Sequence, residues 1–108
     1  MSKNTKKIDT ALIGCGYWGT NIAKSLITIK KTICVFDENH NNCKILKKRF
    51  PNYINIEKNL SNILVNKKIK NVVLATPPSK NFKLLKIFIN NKKNIFVEKP
   101  GLTNLKDI

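Results

Sequence analysis

The sequence predicts a single α/β domain built as a doubly wound parallel sheet, and three observations carry that prediction. Short apolar runs alternate with longer stretches of helical periodicity, which is the pattern of strand, crossover helix and parallel strand. Several of the short runs are almost continuously apolar, as strands covered on both faces must be. The chain has 108 residues, 42% of them hydrophobic, enough for one core and no more, since domains commonly run ~100–150 residues. Residues 1–108 are therefore assigned to one domain.

Five strands are expected, near residues 8–13, 32–37, 53–56, 71–75 and 94–97. Between the first two, Ile22, Ala23, Leu26, Ile27 and Ile29 recur at helical spacing; between the second and third, Cys43, Leu46 and Phe50 do the same. A weaker helix is expected over residues 59–65. A stronger one is expected over 79–90, burying Phe82, Leu85 and Ile89 while Lys80, Lys83 and Lys86 face solvent. Pro51 should close the second helix, and Pro77 and Pro78 should stop the fourth strand, leaving Ser79 to cap the last helix. Clusters of Asn and Lys at 39–48, 66–71 and 90–94 read as exposed loops or helix ends. Right-handed crossovers wind these units into strand order 3-2-1-4-5, with ligands bound beyond the carboxyl ends of the strands.

The formal charge is +15, which raises the question of nucleic acid. The charge comes from 20 Lys and a single Arg, beside 16 Asn and 15 Ile, the bias of an AT-rich coding sequence. Nucleic-acid readers favour Arg, whose planar fork matches phosphate and guanine, so no nucleic-acid partner is expected. Cys15, Cys34 and Cys43 lack paired spacing and read as free thiols, with neither a disulfide framework nor a metal site. No apolar run approaches the ~20 residues of a membrane span, and the basic N-terminus is not followed by a signal-peptide core. A cytoplasmic location without a membrane partner is expected.

The chemistry gathers at the strand exits. The first exit reads Gly14-Cys15-Gly16-Tyr17-Trp18-Gly19, a G-x-G-x-x-G that follows a strand and opens a helix, and it holds three of the chain's four glycines. Gly14 permits the tight turn, Gly16 lets a pyrophosphate approach backbone N–H groups at the helix N-terminus, and Gly19 lets helix and strand pack closely. Asp37 ends the second strand 18 residues beyond Gly19, near the ~20 expected of a carboxylate that accepts from adenosine ribose hydroxyls. That carboxylate, with Glu38 beside it, would repel a 2′-phosphate and so favours NAD; Lys44, Lys47 and Lys48 keep NADP open. His40, the lone histidine, stands at a helix start on a different loop and reads as structural.

The fourth strand exits into Ala75-Thr76-Pro77-Pro78 and the fifth into Glu98-Lys99-Pro100-Gly101. Together with the glycine loop, these segments resemble the N-terminal half of the Gfo/Idh/MocA oxidoreductases, which carry a Rossmann fingerprint, an A-T-P segment and an E-K-P motif in this order. The stretch from Gly14 to Asn21 looks most like the branch acting on nucleotide-linked sugars, such as UDP-sugar 3-dehydrogenases. The resemblance implies hydride transfer between a nicotinamide and a sugar or nucleotide-sugar hydroxyl or carbonyl. Lys99 would be the catalytic residue, reaching the nicotinamide and the reacting hydroxyl; Glu98 and Thr76, Pro77 and Pro78 would line the nicotinamide, and Tyr17 and Trp18 would join the glycines in holding the cofactor. A cation beside a carbinol oxygen stabilises the alkoxide that develops as hydride departs.

Two departures accompany the resemblance. Asn81 stands where the family often has a His, and family members are much longer, with a second domain that supplies the substrate pocket. The chain is therefore expected to bind dinucleotide but to be incomplete as a catalyst, as a truncated product or a fragment that needs a separate second domain. The alternative is a noncatalytic dinucleotide-binding module or partner subunit.

Overall fold

The computed structural model describes residues 8–97. The expected elements appear in the expected order: β1 (Thr10–Ile13), α1 (Tyr17–Thr28), β2 (Ile33–Phe36), α2 (His40–Arg49), β3 (Ile54–Ile56), α3 (Leu60–Val65), β4 (Asn71–Leu74), α4 (Pro78–Asn90) and β5 (Asn94–Val97). All neighbouring strands pair in parallel, in the order β3-β2-β1-β4-β5.

Alternation along the strands divides the core into two layers, because successive side chains in a strand point to opposite faces. On one face Leu12, Ile33, Val35 and Ile54 pack with Ala23 of α1 and Cys43 and Leu46 of α2. On the other, Ala11, Ile13, Cys34, Val72 and Leu74 pack with Ile63 of α3 and Phe88 of α4. Every residue of β1 is buried, as befits the middle strand of a sheet covered on both sides.

Four local expectations are corrected. The buried stripe of α4 runs through Asn81, Leu84, Leu85 and Phe88, whereas Phe82 and Ile89 are 47% and 57% exposed. The helix is apolar on more than one side, so spacing alone leaves the phase of its stripe undecided. Ser79 is a helical residue and not the cap: α4 begins at Pro78 with Pro77 as N-cap and no capping side chain, since proline's fixed φ and missing N–H suit a first helical turn. Ile29 leaves the α1 stripe to become its exposed C-cap. Within the lysine-rich turn before β5, Lys93 is buried; its Nζ donates to the carbonyl oxygens of Asn66 at 2.7 Å and Ile69 at 2.6 Å, which satisfies the ammonium, and burial pushes its pKa down.

Candidate functional site

The pairing register sets the floor of the site. Ile13 stands between Phe36 and Leu74, so β1, β2 and β4 end level and their exits open onto one edge of the sheet. Backbone bonds continue past the strand ends: Gly14 N–H donates to the Phe36 carbonyl and Ala75 N–H to the Ile13 carbonyl, both at 2.8 Å. The first loop is thereby stitched between its two neighbours.

The three glycines of that loop differ in what confines them. Gly14 has φ +102°, and a Cβ there would lie 2.9 Å from the Ala75 carbonyl group, so both conformation and space require glycine. A Cβ on Gly19 would lie 1.8 Å from the Gly14 carbonyl oxygen, which explains how closely α1 seats against the turn. A Cβ on Gly16 would meet nothing within 4 Å. Its missing side chain is not required by the protein's own packing, and it leaves the helix mouth clear. Gly16 is also the N-cap of α1, no side chain caps the helix, and no acidic residue stands in its first turn, so the N–H groups of that turn face the opening with the positive end of the helix dipole.

Asp37 is anchored at the same mouth. Its Oδ2 accepts from the backbone N–H of Cys15 at 2.7 Å and from Asn42 Nδ2 at 3.3 Å, and its Oδ1 accepts from the Asn39 N–H at 2.8 Å. Cys15 itself points into the protein, with its Sγ 3.9 Å from Cys43 Sγ. That contact, then burial, pushes the Cys15 thiol well up, so it stays protonated and adds no negative charge beside the loop. Burial, with Glu57 adding to it, pushes the Cys34 thiol up to about 12. All three cysteines are free and buried.

These parts surround a cavity of about 490 Å³. Ile13, Phe36, Leu60, Leu74 and Leu84 form an apolar slot, and Asp37, Glu38, Asn42, Thr76 and Lys80 supply a polar rim. Of the residues singled out from the sequence, Gly14, Gly16, Tyr17, Trp18, Asp37, Thr76 and Pro77 line this cavity. Gly19 packs behind it, and Pro78 opens α4. Tyr17 and Trp18 are 76% and 54% exposed and meet edge to face, ring centroids 5.3 Å apart. Glu98 and Lys99 lie outside the described residues. His40 is exposed on the first turn of α2 and is absent from the cavity lining. Asn81 is buried and accepts a hydrogen bond from the Thr76 hydroxyl, so it positions the segment after β4.

Sequence reasoning missed Leu60, Leu84, Asn42 and the Glu38–Lys80 ion pair. The leucines carry no chemical signal. The ion pair joins residues 42 positions apart, a relation that only the topology reveals.

A glycine turn, an open helix N-terminus and an anchored carboxylate, all at the switch point of a doubly wound sheet, define a dinucleotide-binding α/β domain. The description "Oxidoreductase family, NAD-binding Rossmann fold" matches residues 8–108. The chain belongs to the Gfo/Idh/MocA oxidoreductase family and carries its NAD-binding domain. No curated protein matches by sequence.

Among solved structures, the chain is similar to myo-inositol dehydrogenase from Lactobacillus casei in complex with NAD(H) and myo-inositol, at 19% identity and TM-score 0.80, over 93% of this chain and 30% of that one. It is similar to the WlbA dehydrogenase from Bordetella pertussis in complex with NADH and UDP-GlcNAcA, at 21% identity and TM-score 0.78, over 94% and 30%. A third is UDP-N-acetylglucosamine 3-dehydrogenase from Acidithiobacillus ferrooxidans, at 21% identity and TM-score 0.75, over 91% and 31%. The chain thus spans roughly a third of the length of the structures it matches, and at these identities the likeness establishes the fold. Among the described residues no helix is long and apolar enough to cross a membrane.

Proposed function

We propose that residues 1–108 form the cofactor domain of an NAD-dependent oxidoreductase acting on a sugar or nucleotide sugar, and that a separate second domain supplies the substrate pocket. The observation that carries the reading is Gly16: space beside it is open to beyond 4 Å although its two partner glycines are packed hard. A side chain would cost the fold little there but would block anything seated on the α1 N-terminus. The residues present suit an NAD(H) molecule, which supplies the hydride acceptor or donor when bound. Gly14, Gly16, Tyr17, Trp18 and Gly19 would hold its diphosphate side, Asp37 its adenosine ribose, the slot between Leu60 and Leu84 its flat base, and Thr76, Pro77 and Pro78 its nicotinamide side.

Lys99 remains the proposed catalytic residue, with Glu98 beside it. Val97 ends β5 in register with Leu74, and Lys99 follows it by two residues in the chain. Its ammonium would stabilise an alkoxide as the substrate hydroxyl loses its proton. The likeness to dehydrogenases crystallised with myo-inositol and with UDP-GlcNAcA supports the substrate class. Three unpaired buried thiols fit a cytoplasmic setting.

Titration calorimetry with NADH tests the cofactor role: saturable binding to the 108-residue chain, lost in Gly16→Val, is expected. Equal affinity in both would overturn it. A noncatalytic partner subunit is favoured by one observation, the exposure of Phe82, Ile89 and Phe96 on the adjoining α4 and β5. A defined hetero-complex that lacks dehydrogenase turnover would decide for that reading.

A further inference from the structure

The lysines that the sequence offered for a 2′-phosphate are poorly placed for it. Lys47 Nζ is held by the carbonyl oxygens of Pro51 at 2.9 Å and Ile54 at 2.7 Å, and Lys44 and Lys48 are exposed on α2, outside the cavity lining. Lys80 belongs to that lining. It stands in the first turn of α4 and donates to Glu38 Oε1, the carboxylate of the residue next to Asp37.

The sheet order gives this ion pair its meaning. β2 and β4 flank β1, so a bond from Glu38, past the end of β2, to Lys80, past the end of β4, spans the cleft above the glycine loop. Asp37 is fixed by three hydrogen bonds, and any ribose it holds lies one residue from the carboxylate that carries the Lys80 ammonium. Both partners of the pair are well exposed, with side-chain exposures of 52% for Lys80 and 73% for Glu38. A pair so exposed contributes little to stability and exchanges partners readily. A phosphate monoester, with up to two charges and three acceptor oxygens, competes with one carboxylate for such an ammonium.

We propose that Lys80 and Glu38 together set the choice between NAD and NADP. Lys80 is the cation a 2′-phosphate requires, and Glu38 holds that cation while adding its own repulsion, so the native pair favours NAD. The inference rests on the cofactor-binding reading above. It assigns specificity to a residue on α4, on the wall opposite Asp37.

The test is titration calorimetry of the native 108-residue chain, Glu38→Gln, Lys80→Ala and the double variant with NADH and NADPH, repeated with AMP and adenosine 2′,5′-bisphosphate to isolate the adenosine half. Glu38→Gln is expected to raise the NADPH-to-NADH affinity ratio about tenfold, the scale of one charge-assisted hydrogen bond. Lys80→Ala should lower the ratio several-fold, and the double variant should lose most of the gain made by Glu38→Gln. The bisphosphate-to-AMP ratio should follow the same pattern. If the gain survives in the double variant, or Lys80→Ala leaves the ratio unmoved while NADH still binds, the role of Lys80 is overturned and the cofactor reading stands. If no variant binds either dinucleotide, the cofactor reading itself fails.

Discussion

The backbone N–H of Cys15 donates to Asp37 Oδ2 at 2.7 Å, joining the inside of the glycine loop to the end of the neighbouring strand. The carboxylate proposed to meet the ribose is therefore also a structural tie for the loop that would meet the phosphates. Asp37→Ala should lower NADH affinity by about tenfold or more and, by orphaning a part-buried N–H, cost about 1–3 kcal/mol of stability. Calorimetric titration and urea melts of the same protein separate the two effects. Loss of neither would contradict the double role.

Gly16 and Gly19 should respond oppositely to a methyl group. Gly19→Ala drives a Cβ to 1.8 Å from the Gly14 carbonyl oxygen and is expected to destabilise by at least the ~1–3 kcal/mol of ordinary overpacking. Gly16→Ala meets nothing within 4 Å; it should melt near the native chain yet bind NADH more weakly. Thermal denaturation with a parallel binding curve distinguishes them, and equal melting losses would refute the contrast.

The corrected face of α4 is open to a direct check. Phe88→Ala removes a fully buried ring from the core and should cost about 3–5 kcal/mol. Phe82→Ala lies on the exposed side and should change stability by no more than about 0.5 kcal/mol. Similar costs at the two sites would put the stripe back where periodicity first placed it.

Asp9 predicts a small acid dependence. Lys31 Nζ lies 2.7 Å from its Oδ1, and hydrogen bonds from Lys31 and then Thr10 hold its carboxyl below the usual carboxylate range. A folded pKa below the unfolded one means the pair supports the fold at neutral pH and stops doing so as pH falls through the carboxylate range. The pair is partly exposed, so less than about 1 kcal/mol is involved. Chemical denaturation between neutral and strongly acidic pH should show a shallower loss in Asp9→Asn than in the native chain.

Much of this architecture is legible in the residues themselves. Parallel strands buried on both faces leave continuous apolar runs, and the glycine triplet carries its turn, its helix start and its packing demands in six positions. Asp37 is legible too, because strand length and crossover length together fix how far it stands from the loop. What escaped notice depends on pairs distant in the chain or on ambiguous patterns. α4 holds Phe82, Leu84, Leu85, Phe88 and Ile89, so two phases of the same period fit, and the buried Asn81 argues against the correct one until its bond to Thr76 is seen. Lys80 reads as one solvent-facing lysine among many, since its meeting with Glu38 follows from strand order and not from spacing. Lys93 likewise resembles its exposed neighbours, although two carbonyl oxygens from the turn before β4 hold it inside.

The central position of β1 has a consequence for how the chain is made. Its left-hand neighbour β2 is translated soon after it, but Thr10 pairs with Asn71 on the other side, so the ribosome must deliver some sixty further residues before that flank can close. Until then the most deeply buried of the five described strands has an open edge. Nascent chains halted before β4 should accordingly be chaperone clients and prone to clump, whereas those that also carry α4 and β5 should withstand protease, because Phe88 then covers the open face and the long-range pairing that delays folding is in place.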